Sequence, residues 1–205
     1  MKSSITFFII PLLLFTIIGS ALAMWYDVLK IKTSIDTGSV DVKFGGIIYV
    51  EDRFEDKDVA SCSATFTDVE NEDLGNPTGD NDLELSIVVS NAYPCYICKV
   101  NSVDVENIGT IPVKVKLDRV VAYPSEKLCE QKFDPTRGPY FECDVDGDED
   151  ADINLWGSFT SFIYDVQLEP GGYKSFTVEL HVKQGAEEDS SFTVQIYLKA
   201  RQYNE

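Results

Sequence analysis

The 205-residue chain has one histidine, His181, and little basic charge, with 17 Lys and Arg against 35 Asp and Glu. A histidine-based triad needs that one residue in a cleft beside a nucleophile, and it sits on the polar parity of a strand pattern instead. No HExxH, GxSxG, P-loop or GxGxxG sequence is present. Zincin, nucleophile-elbow and phosphate-cradle chemistry are therefore not written here. The formal charge of −18 argues against nucleic acid and anionic membranes as partners, since both call for basic patches. It makes dense self-association costly unless salt or divalent cations screen it. No glycosylation sequon occurs, because Asn76-Pro77-Thr78 has proline in the middle. No stretch beyond the leader carries a 3.6-residue apolar period, which removes amphipathic helices from the reading. What is present is aromatic and apolar: aromatics at 12% are too many for a disordered acidic chain.

The first 23 residues read as a signal peptide. Lys2 gives a short positive start, Ile5 to Ile18 an apolar core, and Ala21-Leu22-Ala23 a small-x-small cleavage site. Cleavage would leave 182 residues and, with Lys2 gone, a charge of −19. The competing reading is an uncleaved anchor, because the uncharged run from Ile5 to Trp25 is 21 residues long and a bilayer needs about 20. Both readings put the folded part outside the cytoplasm, and membrane contact runs only through the leader.

Period-two alternation governs the remainder. Trp25, Leu29, Ile31, Thr33 and Ile35 share one parity, and Thr37-Gly38 breaks the run. Val40, Val42 and Phe44 then alternate with polar residues, and Gly45-Gly46 suggests a bulge or bend. Further strands are expected at residues 60–69, 83–89, 95–106, 113–117, 160–168, 176–182 and 192–200. Eight to ten strands in one domain predict an all-β fold, a two-sheet sandwich of jelly-roll type. The expected organisation is a signal peptide at 1–23, an extended N-terminal strand at 24–37, and the sandwich at 38–205. Residues 70–82 are Gly/Pro/Asn-rich and acidic, the composition of a long loop. Residues 122–158 lack clear alternation and read as a Cys- and Asp-rich insertion between sandwich strands.

Two constellations stand out. Of the five cysteines, Cys129 and Cys143 bracket one loop and form the favoured pair, and Cys62 pairs with Cys95 or Cys98, which leaves one odd thiol. Strands flank Cys95-Tyr96-Ile97-Cys98 on both sides. No helix follows to lower a thiol pKa, and no second CxxC completes a zinc site, so a structural disulfide is the expectation. Asp144, Asp146, Asp148, Asp150 and Asp152 fall at alternate positions within nine residues. Carboxylates this dense favour a cation, and Asp144, Asp146, Asp148 and Asp152 match positions 1, 3, 5 and 9 of an EF-hand-like calcium loop. Glu149 stands where that motif wants glycine and Leu155 where it wants a bidentate acid. The competing reading is a solvated acidic loop.

Four stretches together carry a resemblance: ALAMWYDVLKIKTSIDTGSVDV, VVSNAYPCYICKVNSVDVENIGTIPVKV, LEPGGYKSFTVELHV and FTVQIYLKARQYNE. The chain resembles the archaeal relatives of the bacterial TasA/camelysin biofilm-fibre family, including the archaeal bundling pilins. The Asn107–Val115 phrase is the most specific piece. The resemblance implies a secreted jelly-roll subunit that polymerises head to tail, its N-terminal strand completing the sheet of the next copy. The donor would be Trp25 to Thr37, with Leu29, Ile31 and Ile35 as buried anchors. Camelysin relatives have been described as metallopeptidases. That activity is not carried over, since this chain has one histidine and no zinc-binding helix motif. The five cysteines and the insertion have no counterpart mapped in the bacterial members. The alternative to a filament subunit is a secreted or anchored sandwich that binds a ligand, its N-terminal strand folded back into its own sheet.

Overall fold

The computed structural model describes residues 38–46, 49–53, 59–69, 82–184, 186 and 190–203. The leader, the proposed donor strand Trp25–Ile35 and most of the acidic 70–82 stretch lie outside the described residues. Gly38–Glu205 form one compact unit.

Among the described residues, thirteen strands build it: β1 (Val42–Gly45), β2 (Tyr49–Arg53), β3 (Ser61–Val69), β4 (Asp82–Ala92), β5 (Ile97–Asn107), β6 (Val113–Tyr123), β7 (Lys127–Leu128), β8 (Glu130–Asp134), β9 (Gly138–Cys143), β10 (Ile153–Trp156), β11 (Val166–Leu168), β12 (Tyr173–Val182) and β13 (Ser190–Gln202). One sheet runs β1-β5-β12-β10-β9-β8, with β2 also on β5. The other runs β11-β6-β13-β4-β3, with β7 also on β6. Every pairing is antiparallel. β4 pairs with β13 in one sheet while β5 pairs with β12 in the other. Two antiparallel arms thus cross together from sheet to sheet, which is how a jelly roll closes.

The alternation read from the sequence is the alternation buried. Leu83, Leu85, Ile87 and Val89 of β4 face Val194, Ile196 and Leu198 of β13, all almost fully buried. Phe176, Val178, Leu180 and Val182 supply the opposite wall. Val42 and Phe44 enter this core as their parity requires, and Val40 packs against it. Three register shifts interrupt the ladders, one of them between β4 and β13, where Ser190 pairs with Ala92 but Phe192 with Val89. On β6, Leu117 pairs with Leu198 but Arg119 with Tyr197, so Asp118 is the extra residue. On β5, Val103 and Val100 oppose Phe176 and Val178, with Ser102 at φ 60°. Each bulge lets a strand continue with its apolar side still facing inward.

Two expectations change. Residues 160–168 are not one strand: Ser158–Ile163 form a 3-10 turn and only Val166–Leu168 pair. Phe159 and Phe162 are three residues apart, the 3-10 period, and both are fully buried, so the turn plugs the core with two rings. Residues 122–158, read as an insertion between sandwich strands, contribute strands to the sandwich itself. β10 pairs with β12, and β9 and β8 continue the same sheet outward. These strands are only four to six residues long, too short to display a period.

Candidate strand-acceptor seam and acidic loop

The two sheets do not close equally well along their sides. β3 is the outermost strand of its sheet, and β1 and β2 are outermost in the facing sheet on the same side. Val50 of β2, Cys62, Ala64 and Phe66 of β3, and Val40 just ahead of β1 are only partly buried although each packs on the core, whereas the inward residues of β1, Val42 and Phe44, are buried. Phe66 lies 5.4 Å from the Phe44 ring, across the seam between the sheets. A sheet edge offers unpaired N–H and C=O groups, and soluble proteins guard such edges with charge or proline. β8, the edge on the far side, carries Glu130, Lys132 and Asp134 in five residues. β3 has no proline and no charge from Ser61 to Thr67, and Asp68 near its end is its one charged residue. Among the described residues its Ser61–Thr67 stretch is the longest edge run without a charge, and it flanks partly buried core residues.

The Cys62–Cys98 disulfide pins β3 to β5 in the other sheet, and Cys129–Cys143 ties the β7–β8 junction to the end of β9. Both bridges are among the pairings expected. They also fit an oxidising environment. Cys95 is the odd thiol, exposed, donating to the Gln184 side chain at 3.4 Å. His181 stands on the outward side of β12 opposite Asn154, on its expected parity.

Gly38 meets the turn at the head of the Asn107–Val115 phrase, and the hub of that turn is the Asn107 side chain. Asn107 is completely buried. Its Nδ2 donates to the carbonyls of Ile111, at 2.9 Å, and Leu168, at 3.0 Å, and its Oδ1 accepts from Gly109 N–H at 3.0 Å. Its own N–H donates to Gly172 and its carbonyl accepts from Gly171. The turn so held receives the start of the described chain. Ile108 and Gly109 donate to the Asp41 carbonyl, Thr110 N–H donates to the Ser39 carbonyl, and Ser39 N–H donates to Thr110 Oγ1. A Cβ at Gly109 would run into the Ser39 carbonyl, and one at Gly38 into the Ile111 side chain. This network accounts for the Asn-Ile-Gly-Thr phrase: the amide satisfies three buried backbone groups, and the glycines let two chain segments touch.

The acidic loop connects β9 to β10. One carboxylate oxygen from each of Asp144, Asp146 and Asp152 lies within 4.8 Å of the others. Asp148 and Asp150 are not in that cluster. Asp148 instead accepts the Asp150 N–H at 2.8 Å, and Asp146 accepts the Asp148 N–H at 3.0 Å. Leu155 is fully buried in β10 and cannot serve as the twelfth-position ligand. Glu149 takes φ 81°, the left-handed conformation for which the EF-hand uses glycine. A cation already stands at the cluster: Lys127 Nζ is 2.5 Å from Asp144 Oδ2 and 3.1 Å from the Gly147 carbonyl. That hydrogen bond holds the Asp144 carboxyl below its usual range and raises the Lys127 ammonium above its own. Burial pushes Asp152 the other way, upward, even though its Oδ2 accepts the Val145 N–H at 2.7 Å.

No protein-family model, no curated protein and no solved structure matches the chain.

Proposed function

We propose that this chain is the structural subunit of an extracellular filament, and that residues 24–37 of one copy add as a strand to the outer edge of β3 in the next. The carrying observation is the unguarded β3 edge beside the half-covered seam. An added strand gains main-chain hydrogen bonds from such an edge, and its alternate side chains fill the pockets beneath. Leu29, Ile31 and Ile35, with Trp25 and Thr33 on the same parity, would cover Ala64, Phe66, Val40 and Val50. A head-to-tail contact of this kind does not close on itself and propagates as a fibre. The same docking within one chain would give a monomer, the reading of a secreted or anchored surface sandwich. The family resemblance in the sequence supports the filament.

A charge placed on the β3 edge separates assembly from folding. Thr65 is exposed, and Thr65→Lys is expected to abolish fibres in negative-stain images while leaving the melting temperature within about 2 °C. Fibres as abundant as in the parent chain would overturn the β3 assignment.

The second part of the proposal is calcium at Asp144, Asp146 and Asp152. Three converging carboxylates suit a hard cation, which would have to displace Lys127 from Asp144. Millimolar calcium is expected to raise the melting temperature and EGTA to lower it. A titration with no heat and no thermal shift would sink the site.

A further inference from the structure

The outward face of the β5–β12 pair holds a cleft that neither the seam nor the acidic loop uses. Its volume is about 440 Å³, within the usual range of small-ligand sites. Asn101, Ser102 and Asp104 of β5 line it, with Tyr173, Ser175 and Thr177 of β12. Three backbone features form it. The β5 bulge sets two residues, Asn101 and Ser102, against Thr177, so both reach the cleft where a regular strand would present one. Beside Asp104, β1 ends at Gly45 and Gly46, which raise no side chain over the opening. Gly46 takes φ 84°, and a Cβ there would strike the Ser102 carbonyl. On the far side β10 stops at Trp156, opposite Glu179, and Gly157 turns the chain away at φ 130°. Among the described residues, β12 from Tyr173 to Phe176 therefore pairs on one side only.

Some polar groups around the cleft are already satisfied. Thr177 N–H donates to Ser158 Oγ at 2.9 Å, and the two hydroxyls lie 3.3 Å apart. Glu106, one step beyond Asp104 on the same face, is held by Lys43 at 3.5 Å. Asn101, Ser102, Asp104, Tyr173 and Ser175 differ: among the described residues none of these side chains has a hydrogen bond or an ion pair. They offer one amide, one carboxylate and three hydroxyls to a single opening. Tyr173 stands at one end, 67% exposed. Tyr49 of β2, opposite Asn101 and so on the same face, stands at the other end, 63% exposed. Their cross-strand partners on β5 are Glu106 and Asn101, a span of roughly 15 Å.

We infer that this cleft binds a neutral glycan, with a pyranose ring on Tyr173, its hydroxyls on Asp104, Asn101, Ser102 and Ser175, and the next sugars running along β5 toward Tyr49. The donor set selects that class. Sugar hydroxyls both donate and accept, as do the amide and the hydroxyls here, and the Asp104 carboxylate accepts from two neighbouring hydroxyls. Tyrosine supplies an apolar ring for the C–H face of the sugar and a polar tip beside it. An anionic ligand would call for Arg or Lys, and no basic residue lines the cleft. A free saccharide and one unit of a polysaccharide share this chemistry, and the test separates them. The site belongs to the folded body and does not depend on polymerisation.

Fluorescence polarisation tests it, since a labelled oligosaccharide reports binding to single particles and to fibres alike. The chain from Met24 is titrated against fluorescein-labelled mannopentaose, maltopentaose and cellopentaose, with a labelled hyaluronan hexasaccharide as the acidic control. At least one neutral probe is expected to bind and the hyaluronan is not. Displacement by millimolar free monosaccharide assigns a single ring to the cleft; resistance to it assigns a run of sugars, and both outcomes support the site. Asp104→Asn and Tyr173→Ala are each expected to weaken binding by about tenfold or more, whereas Tyr173→Phe keeps the ring and most of the affinity. Because these side chains hold nothing within the body, melting temperatures should stay at the parent value, which establishes that each variant folds. No binding of any neutral probe, binding of hyaluronan alone, or parent-level affinity in Tyr173→Ala combined with Asp104→Asn would overturn the site. Strand donation reads out separately: fibres in that double variant should match the parent, and their loss would place the cleft at a subunit contact and overturn the glycan assignment.

Discussion

Replacing Asn107 by alanine should be among the most damaging single changes in the body. Its side chain makes three hydrogen bonds, all to backbone groups, with the residue fully buried. Alanine leaves the Ile111 and Leu168 carbonyls and the Gly109 N–H without that partner. At about 1–1.5 kcal/mol for each, the loss sums to roughly 3–5 kcal/mol. Total stability for a domain of this kind is about 5–15 kcal/mol, so the variant should unfold at markedly lower urea with an unchanged m-value. Asn107→Asp sharpens the test. It keeps the acceptor for Gly109 but turns an oxygen, not an amide, toward two carbonyls. At pH 7 it should be at least as destabilised as alanine. A carboxyl so placed has a folded-state pKa raised above its unfolded one. Its deficit should therefore shrink as pH falls and protonation restores one donor. A loss below about 1 kcal/mol for Asn107→Ala, or an Asn107→Asp deficit independent of pH, would refute the account of the hub.

Three further outcomes are expected. Cys62→Ala with Cys98→Ala opens a 36-residue separation and Cys129→Ala with Cys143→Ala one of 14. The chain-entropy model gives about 4 and about 3 kcal/mol respectively, so urea midpoints should fall in that order. The Lys127–Asp144 pair contributes stability that is present above the ordinary Asp value of 3.8 and is lost as pH falls through the lowered folded value. Melting temperature should therefore drop below about pH 4 in the parent and drop less in Asp144→Asn. Asp152 has the opposite sign: its raised folded value means a contribution present below 3.8 and lost as pH rises through it, so Asp152→Asn should gain stability relative to the parent toward neutral pH.

The fold was legible where side chains alternate over eight residues or more. β4, β5, β12 and β13 could be read directly, because burial on one face imposes period two on the sequence. The short strands β8, β9 and β10 could not, since four to six residues carry no period. Phe162 fell within the expected strand 160–168, and only its spacing of three from Phe159 marked the 3-10 turn. Cysteine pairing was half legible. Spacing favoured Cys129 with Cys143, but the choice of Cys98 over Cys95 depends on which thiol points inward from the start of β5. Of the five aspartates read as calcium ligands, three converge. Alternate placement cannot foresee that Asp148 turns back onto the Asp150 N–H, or that Lys127 arrives from 17 residues upstream. The β3 edge and the facing of Lys116 by Lys199 were invisible for one reason: each depends on strand order and register, which periodicity does not contain. Lys116 and Lys199 are unremarkable apart and adjacent only once β6 lies on β13.

The central claim is that a strand from one copy completes the sheet of another. It is tested most directly by imaging two chains side by side, residues 24–205 and residues 38–205, by negative stain under matched salt and calcium. The account predicts long fibres from the first and single particles from the second, with fibres suppressed when a synthetic 24–37 peptide is added in excess and occupies the β3 edge. Single particles from 24–205 under every condition, or fibres from 38–205, would contradict it.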